Sequence, residues 1–147
     1  MKIILLSIFL FISLLSSEQL PYTLENLKKL NLYYVDKSGL FDKQEQNKMK
    51  TTLKNKLLSH GFNLHATDPS TLVVIIETID IDDTIIANIS LLVGEEVITK
   101  REKNIQTMAL TYHDNKFIEL DEARQEIKEI INSMLGDFLK LYQEDME

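Results

Sequence analysis

Between Leu72 and Val93 the chain carries two runs dense in β-branched residues, separated by a pair of acids. The first, Leu72 to Asp80, includes Val73, Val74, Ile75, Ile76, Thr78 and Ile79. Two substituents on Cβ crowd a helical turn but pack well on a pleated surface, so a strand is expected. Asp82-Asp83 interrupts the run with short polar side chains that tolerate turn conformations, which fits a hairpin tip. The second run, Ile85 to Val93, places Ile85, Ala87, Ile89, Leu91 and Val93 at odd positions, with Asn88 and Ser90 among the even ones. Successive strand residues point to opposite faces, so one face is dry and the other wetter. A hairpin with one apolar face must be covered by another part of the chain, and this requirement organises the rest of the sequence.

Two amphipathic helices supply the cover. Asp42 followed by Glu45 forms a capping box, in which each side chain satisfies a backbone N–H of the first turn. Met49, Leu53 and Leu57 recur every four residues, with Leu58 beside them, on an otherwise polar, lysine-rich segment. Ser59-His60-Gly61 ends that helix: Gly61 suits the left-handed C-terminal position, and a histidine there suits the helix dipole. The second helix runs from Asp121 to about Tyr142, with a broad apolar face of Ala123, Ile127, Ile130, Ile131, Met134, Leu135, Phe138, Leu141 and Tyr142. Gly136 weakens it by about 1 kcal/mol relative to Ala, and a small residue there would permit close approach to the sheet.

The remaining segments follow from alternation and turn chemistry. Leu20 to Lys29 is a lead-in in which Pro21 stops any preceding helix, and Leu24, Leu27 and Leu30 give a helical turn or an extended arm. Leu30 to Val35 has strand character, Asp36 to Gly39 is a turn, and Phe62 to Ala66 is a short strand. Asp68 to Thr71, Gly94 to Glu96, and His113 to Lys116 have turn composition. Val97 to Tyr112 is extended with a polar middle, either one curling strand or two joined by a bulge. The expected architecture is α+β: a two-layer sandwich of a mostly antiparallel four- to five-stranded sheet with both helices on one face.

The chain begins with an address. Met1-Lys2 is a short positive start, Ile3 to Leu15 is apolar apart from Ser7 and Ser13, and Ser16-Ser17 precede a polar turn in character at Glu18. This is the three-part pattern of a secretion signal, and the run is short for a membrane span, which needs about 20 apolar residues. Residues 1–17 are assigned as signal peptide, 18–29 as lead-in and 30–147 as a single domain. Cleavage is expected after Ser16 or Ser17; an uncleaved anchor would leave the same domain outside the membrane. The expected location is the periplasm, with full secretion as the alternative.

Composition narrows the chemistry. The 147 residues include no cysteine, which excludes disulfides, thiolate metal sites, thiol nucleophiles and lipid attachment through cysteine. A formal net charge of −7, with no basic stripe interleaved with aromatics, sets nucleic-acid binding aside.

The order laid down by Leu30–Val35, Asp42–Gly61, Leu72–Val93 and Asp121–Tyr142 resembles that of several small domains of the bacterial envelope. These are the N-terminal domain of the translocation protein TolB, the periplasmic domain of the curli secretion-channel lipoprotein, and the lipopolysaccharide-assembly lipoprotein of the outer membrane. The resemblance covers most of the chain beyond the signal as an order of elements, with no residue motif. The lipoproteins among them start with a cysteine that this chain does not have. The resemblance implies a non-catalytic periplasmic protein that mediates protein–protein interaction in envelope assembly, transport or maintenance. The alternative reading is a small-ligand- or ion-binding module with its site between sheet and helices, lined by the long apolar strands.

No residue is assigned a catalytic, cofactor-binding or metal-ligating role. Asp80, Asp82 and Asp83, with Glu77 before them, gather carboxylates, but their spacing is not that of a calcium loop, and a solvated tip is the expectation. His60, His65 and His113 show no spacing that puts two ligands on one face. Asn88-Ile89-Ser90 is a glycosylation sequon inside an expected strand. Tyr33-Tyr34 and the stripe Phe138, Leu141 and Tyr142 are weighed as core before interface. The polar sheet face bearing Asn88, Ser90, Thr107 and Thr111 is left to meet water, a ligand or a partner.

Overall fold

A computed structural model of the protein describes residues 24–64, 70–82, 84–119 and 124–146. The expected signal, the first part of the lead-in, and His65, Asp83, Asp121 and Ala123 lie outside the described residues. The elements are β1 (Asn31–Asp36), α1 (Lys43–Ser59), β2 (Thr71–Ile81), β3 (Thr84–Ile98), β4 (Gln106–Glu119) and α2 (Arg124–Glu144). They form one four-stranded sheet in the order β1-β2-β3-β4. β1 pairs parallel to β2 through the α1 crossover, and the other two pairings are antiparallel. The α+β class and the β-α-β-β-β-α order therefore hold, with four strands.

The hairpin that organises the sequence forms as read. Leu72, Val74 and Ile76 of β2 are buried opposite Val93, Leu91 and Ile89 of β3, and Ala87, opposite Thr78, is buried as well. Each fully buried aliphatic side chain contributes about 1.5–3 kcal/mol. Ile85, near the hairpin tip, shares their parity but is exposed. At that tip Ile81 pairs with Thr84, and Asp82 adopts a positive φ of 50°, which Asp tolerates better than most residues.

The capping box of α1 is complete: Glu45 N–H donates to the Asp42 carboxylate at 2.8 Å, and the Glu45 side chain accepts from the Asp42 N–H at 3.4 Å. Met49, Leu53 and Leu57 face inward, whereas Leu58 points to solvent. Gly61 takes the left-handed conformation, φ 87°. α2 buries Ile127, Ile131, Met134, Leu135, Phe138, Leu139 and Tyr142. Leu139 was not on the expected face, and Ile130 and Leu141 are only partly buried. Gly136 faces solvent, and a Cβ placed there meets nothing within 4 Å, so it does not serve close approach to the sheet. Phe138 is the hub of an aromatic cluster: its ring lies 5.9 Å from Phe62 and 5.2 Å edge-on from Tyr112, while Phe62 lies 4.2 Å from Tyr142.

Four expectations are corrected. Val97 to Tyr112 is not extended throughout: β3 ends at Ile98 and β4 begins at Gln106, with a turn between them. Gly94 to Glu96 is not a turn: β3 continues to Ile98, and its pairing with β4 slips by one residue between Val93 and Gly94. His113 to Lys116 is not a turn either: these residues pair with Leu92 to Ile89 inside β4. Turn-type side chains are tolerated there because β4 lies at the edge of the sheet, with no further strand beyond it among the described residues. Phe62 to Ala66 does not form a strand in its described part; Asn63 makes one isolated parallel bridge to Lys29.

The lead-in is an arm that closes the core, with Leu24, Leu27 and Leu30 buried. Its first described residue is fastened to the far end of the chain, the Leu24 N–H donating to the Asp145 carboxylate at 2.6 Å.

Candidate functional site

All buried sheet residues lie on the helical side, and among the described residues no element is layered over the opposite face. Register defines what that face presents. Tyr33, Val73, Leu92 and His113 form one row across the sheet, and Val35, Ile75, Ser90 and Asn115 form the next. Glu77, Asn88 and Phe117 follow, then Ile79, Ile86 and Glu119. Past the slip, Gly94 stands opposite Leu110 and Glu96 opposite Met108. A Cβ at Gly94 would lie 3.9 Å from the Met108 methyl carbon. Gly94 follows the inward-facing Val93, so Met108 and Leu110 belong to the open face.

The open face is consequently far more apolar than its polar expectation. Tyr33 is 57 % exposed, Met108 59 %, Leu110 61 % and Phe117 61 %, and Ile79, Ile81 and Ile98 are exposed as well. Water gains nothing from such surface, and burying it against a partner would be favourable at about 25 cal/mol per Å². A polar strip divides the face. The Ser90 hydroxyl donates to the Asn115 carboxamide oxygen at 3.1 Å, and the Asn88 carboxamide oxygen is enclosed without a hydrogen bond among the described residues. The sequon residue Asn88 is thus hemmed in mid-strand between Glu77 and Phe117. Thr111, expected on this face, instead bonds Glu95, which also accepts from the Ser70 hydroxyl at 3.3 Å.

On the helical side, α1 and α2 diverge around a cleft of about 280 Å³ lined by Glu45, Lys48, Met49, Thr52, Leu53, Gln125, Lys128, Ile131 and Asn132. It lies between the helices rather than between helices and sheet. Six of the nine lining residues are polar or charged, and Met49, Leu53 and Ile131 supply its apolar part. Lys128 spans the mouth: its ammonium bonds Glu45 at 3.0 Å and sits 5.4 Å from the Phe41 ring centroid. The Lys128 hydrogen bond, helped by the Asp42 backbone N–H, holds the Glu45 carboxyl below its ordinary range. Lys56 bonds the Asn132 carboxamide at 3.0 Å farther along the same interface.

The other residues singled out by sequence find structural places. Asp80 and Asp82 are exposed at the hairpin tip, and Glu77 pairs with Lys37 at 2.7 Å. Among the described residues no group of three His, Asp or Glu side chains converges as a metal ion requires. His60 lies beyond α1 with Nδ1 2.8 Å from the Lys56 carbonyl oxygen. His113 is exposed on the open face of β4. Tyr33 is on the open face, whereas Tyr34 turns inward, its phenol directed at the Met49 sulfur at 3.9 Å. Burial first, then the charges of Asp36 and Glu45, push that phenol's pKa up. Phe138 and Tyr142 are core, and Leu141 is partly so.

Sequence reasoning missed the strongest part of the open face, Met108, Leu110 and Phe117. Met108 and Leu110 alternate in the sequence, but the slip beside Thr111 decides which face they take. No protein-family model matches the chain, and no curated protein sequence matches it.

Proposed function

We propose that this chain is an exported, non-catalytic protein that works by binding another protein in bacterial envelope assembly, transport or maintenance, in the periplasm. The observation that carries the reading is the uncovered sheet face, on which Tyr33, Met108, Leu110 and Phe117 stand exposed. A face of this kind fits a partner that presents its own apolar surface and donors for the polar strip at Asn88 and Ser90. Export rests on the N-terminal pattern Met1 to Ser17, and the order of elements resembles that of envelope domains.

The test is capture of the tagged, signal-bearing protein from crosslinked cells, with bound proteins identified by mass spectrometry. One envelope protein or complex recovered in stoichiometric amount is the expected result, with recovery lost in a Leu110→Asp, Phe117→Asp variant that still melts cooperatively. Recovery unchanged by those substitutions removes the open face from the reading, and a tagged protein found in the cytoplasm removes export. The second reading, a small-ligand-binding module, is supported by the cleft between α1 and α2, and there Lys128→Ala would alter ligand binding while leaving partner capture intact.

A further inference from the structure

β4 ends the sheet, and its outer edge is 14 residues long with no strand beyond it among the described elements. The other edge strand, β1, has 6 residues. A long free edge is a template for another strand, and proteins ordinarily shorten, charge, kink or cover it. β4 is slipped only beside Thr111. From Tyr112 to Ile118 it pairs regularly with β3, and it contains no proline.

A second copy can add to this edge about a two-fold axis perpendicular to the sheet. Such an axis keeps every side chain on its own face, so directly opposed residues differ by an even number in sequence and the axis runs through one residue of β4. The charges of β4 then select the residue. An axis through Asp114 opposes two aspartates, and one through Lys116 opposes two lysines. An axis through His113 sets Asp114 against Tyr112 and Lys116 against Leu110. Through Asn115, Asp114 of each copy meets Lys116 of the other. The same register sets Tyr112 against Ile118 and His113 against Phe117, and it matches Asn115 with itself. Opposite-charge and aromatic–β-branched pairs are the stabilising kinds across antiparallel strands. Within one chain Lys116 and Asp114 already approach to 3.6 Å, so the paired edges would hold four alternating charges.

We infer that two copies join β4 to β4, antiparallel about Asn115, into one continuous sheet. Both helical layers lie on the same side of it, and the two open faces merge into a single surface. This goes beyond the partner-binding reading, because it uses the edge of the sheet and leaves the face free.

The experiment is sedimentation equilibrium of the protein isolated from expressing cells, with its N-terminus defined by mass spectrometry. The unaltered protein is expected to sediment as a dimer. Asp114→Lys gives β4 two lysines and Lys116→Asp two aspartates. Each opposes like charges in this register and should dimerise roughly thirtyfold more weakly. Mixing the two restores opposite pairs, and the dimer mass returns. The exchanged double variant Asp114→Lys/Lys116→Asp keeps an opposite-charge pair within the chain, and a cooperative melting transition confirms that it is folded. It should dimerise with itself but refuse subunit exchange with the unaltered protein. A monomer at the highest soluble concentration overturns the inference, as does free subunit exchange between the double variant and the unaltered protein. Partner capture by the double variant stays at the unaltered level, so failure of this inference is distinguishable from failure of the docking face.

Discussion

Gly136→Ala should stabilise the protein. Gly136 lies within α2, faces solvent, and has open space where a Cβ would go. Its φ is not in the left-handed region, which among the glycines is reserved to Gly39 and Gly61. Glycine in a helix interior costs about 1 kcal/mol relative to alanine, largely through the conformational freedom it holds in the unfolded chain. Nothing in the folded state offsets that gain, because the added methyl neither clashes nor loses a contact. For a domain of about 120 residues the unfolding entropy is about 0.25 kcal/mol/K, so the melting temperature should rise by about 4 °C. Thermal unfolding followed by circular dichroism measures it, and urea unfolding should show a higher midpoint at unchanged slope. An unchanged or lowered melting temperature would refute the reasoning, and would mean that α2 needs a bare backbone at this point after all. The substitution touches neither the open face nor the β4 edge, so partner capture and dimer mass should both be preserved.

Other perturbations have equally definite outcomes. Asp42→Ala removes the N-cap of α1 and should lower stability by about 1 kcal/mol in urea unfolding. Phe138→Ala empties the centre of the aromatic cluster and should cost about 3–5 kcal/mol, a large part of the total for a domain of this size. Glu45 is held below its ordinary pKa chiefly by Lys128, so its contribution is fully present above the unfolded carboxyl pKa of about 4.3 and is lost as pH falls through the depressed folded value. Glu45→Gln should flatten that acid limb of a stability-against-pH curve, and an unchanged limb would show that the Lys128 bond does not favour the ionised form.

What the sequence disclosed and what it hid divide along one physical line. Features written in neighbouring residues were legible: the Asp42–Glu45 box, the left-handed stop at Gly61, the hairpin of β2 and β3, and the inward stripe of Met49, Leu53 and Leu57. Features decided by a partner strand were not. His113, Asp114, Asn115 and Lys116 are turn formers by type, yet pairing with Leu92 to Ile89 draws them into β4. Met108, Leu110 and Tyr112 share a parity that reads as one face. The extra residue at Thr111 turns Tyr112 into the core and leaves Met108 and Leu110 outside. A bulge adds one residue to one strand, and no local pattern announces where it falls. The apolar character of the open face was hidden for that reason, and its polar strip at Asn88 and Ser90 was not.

The hydrogen bond between Leu24 and Asp145 brings the two ends of the described domain to the same corner. A short glycine linker would join them without crossing the fold. The chain could then be reopened in the 99–105 turn, where the Thr99 N–H reaches the Ile105 carbonyl at 3.0 Å. In that circular permutant β4 would come first and β3 last, with every strand pairing retained. The sheet depends on which strands lie side by side and not on where the backbone between them is opened.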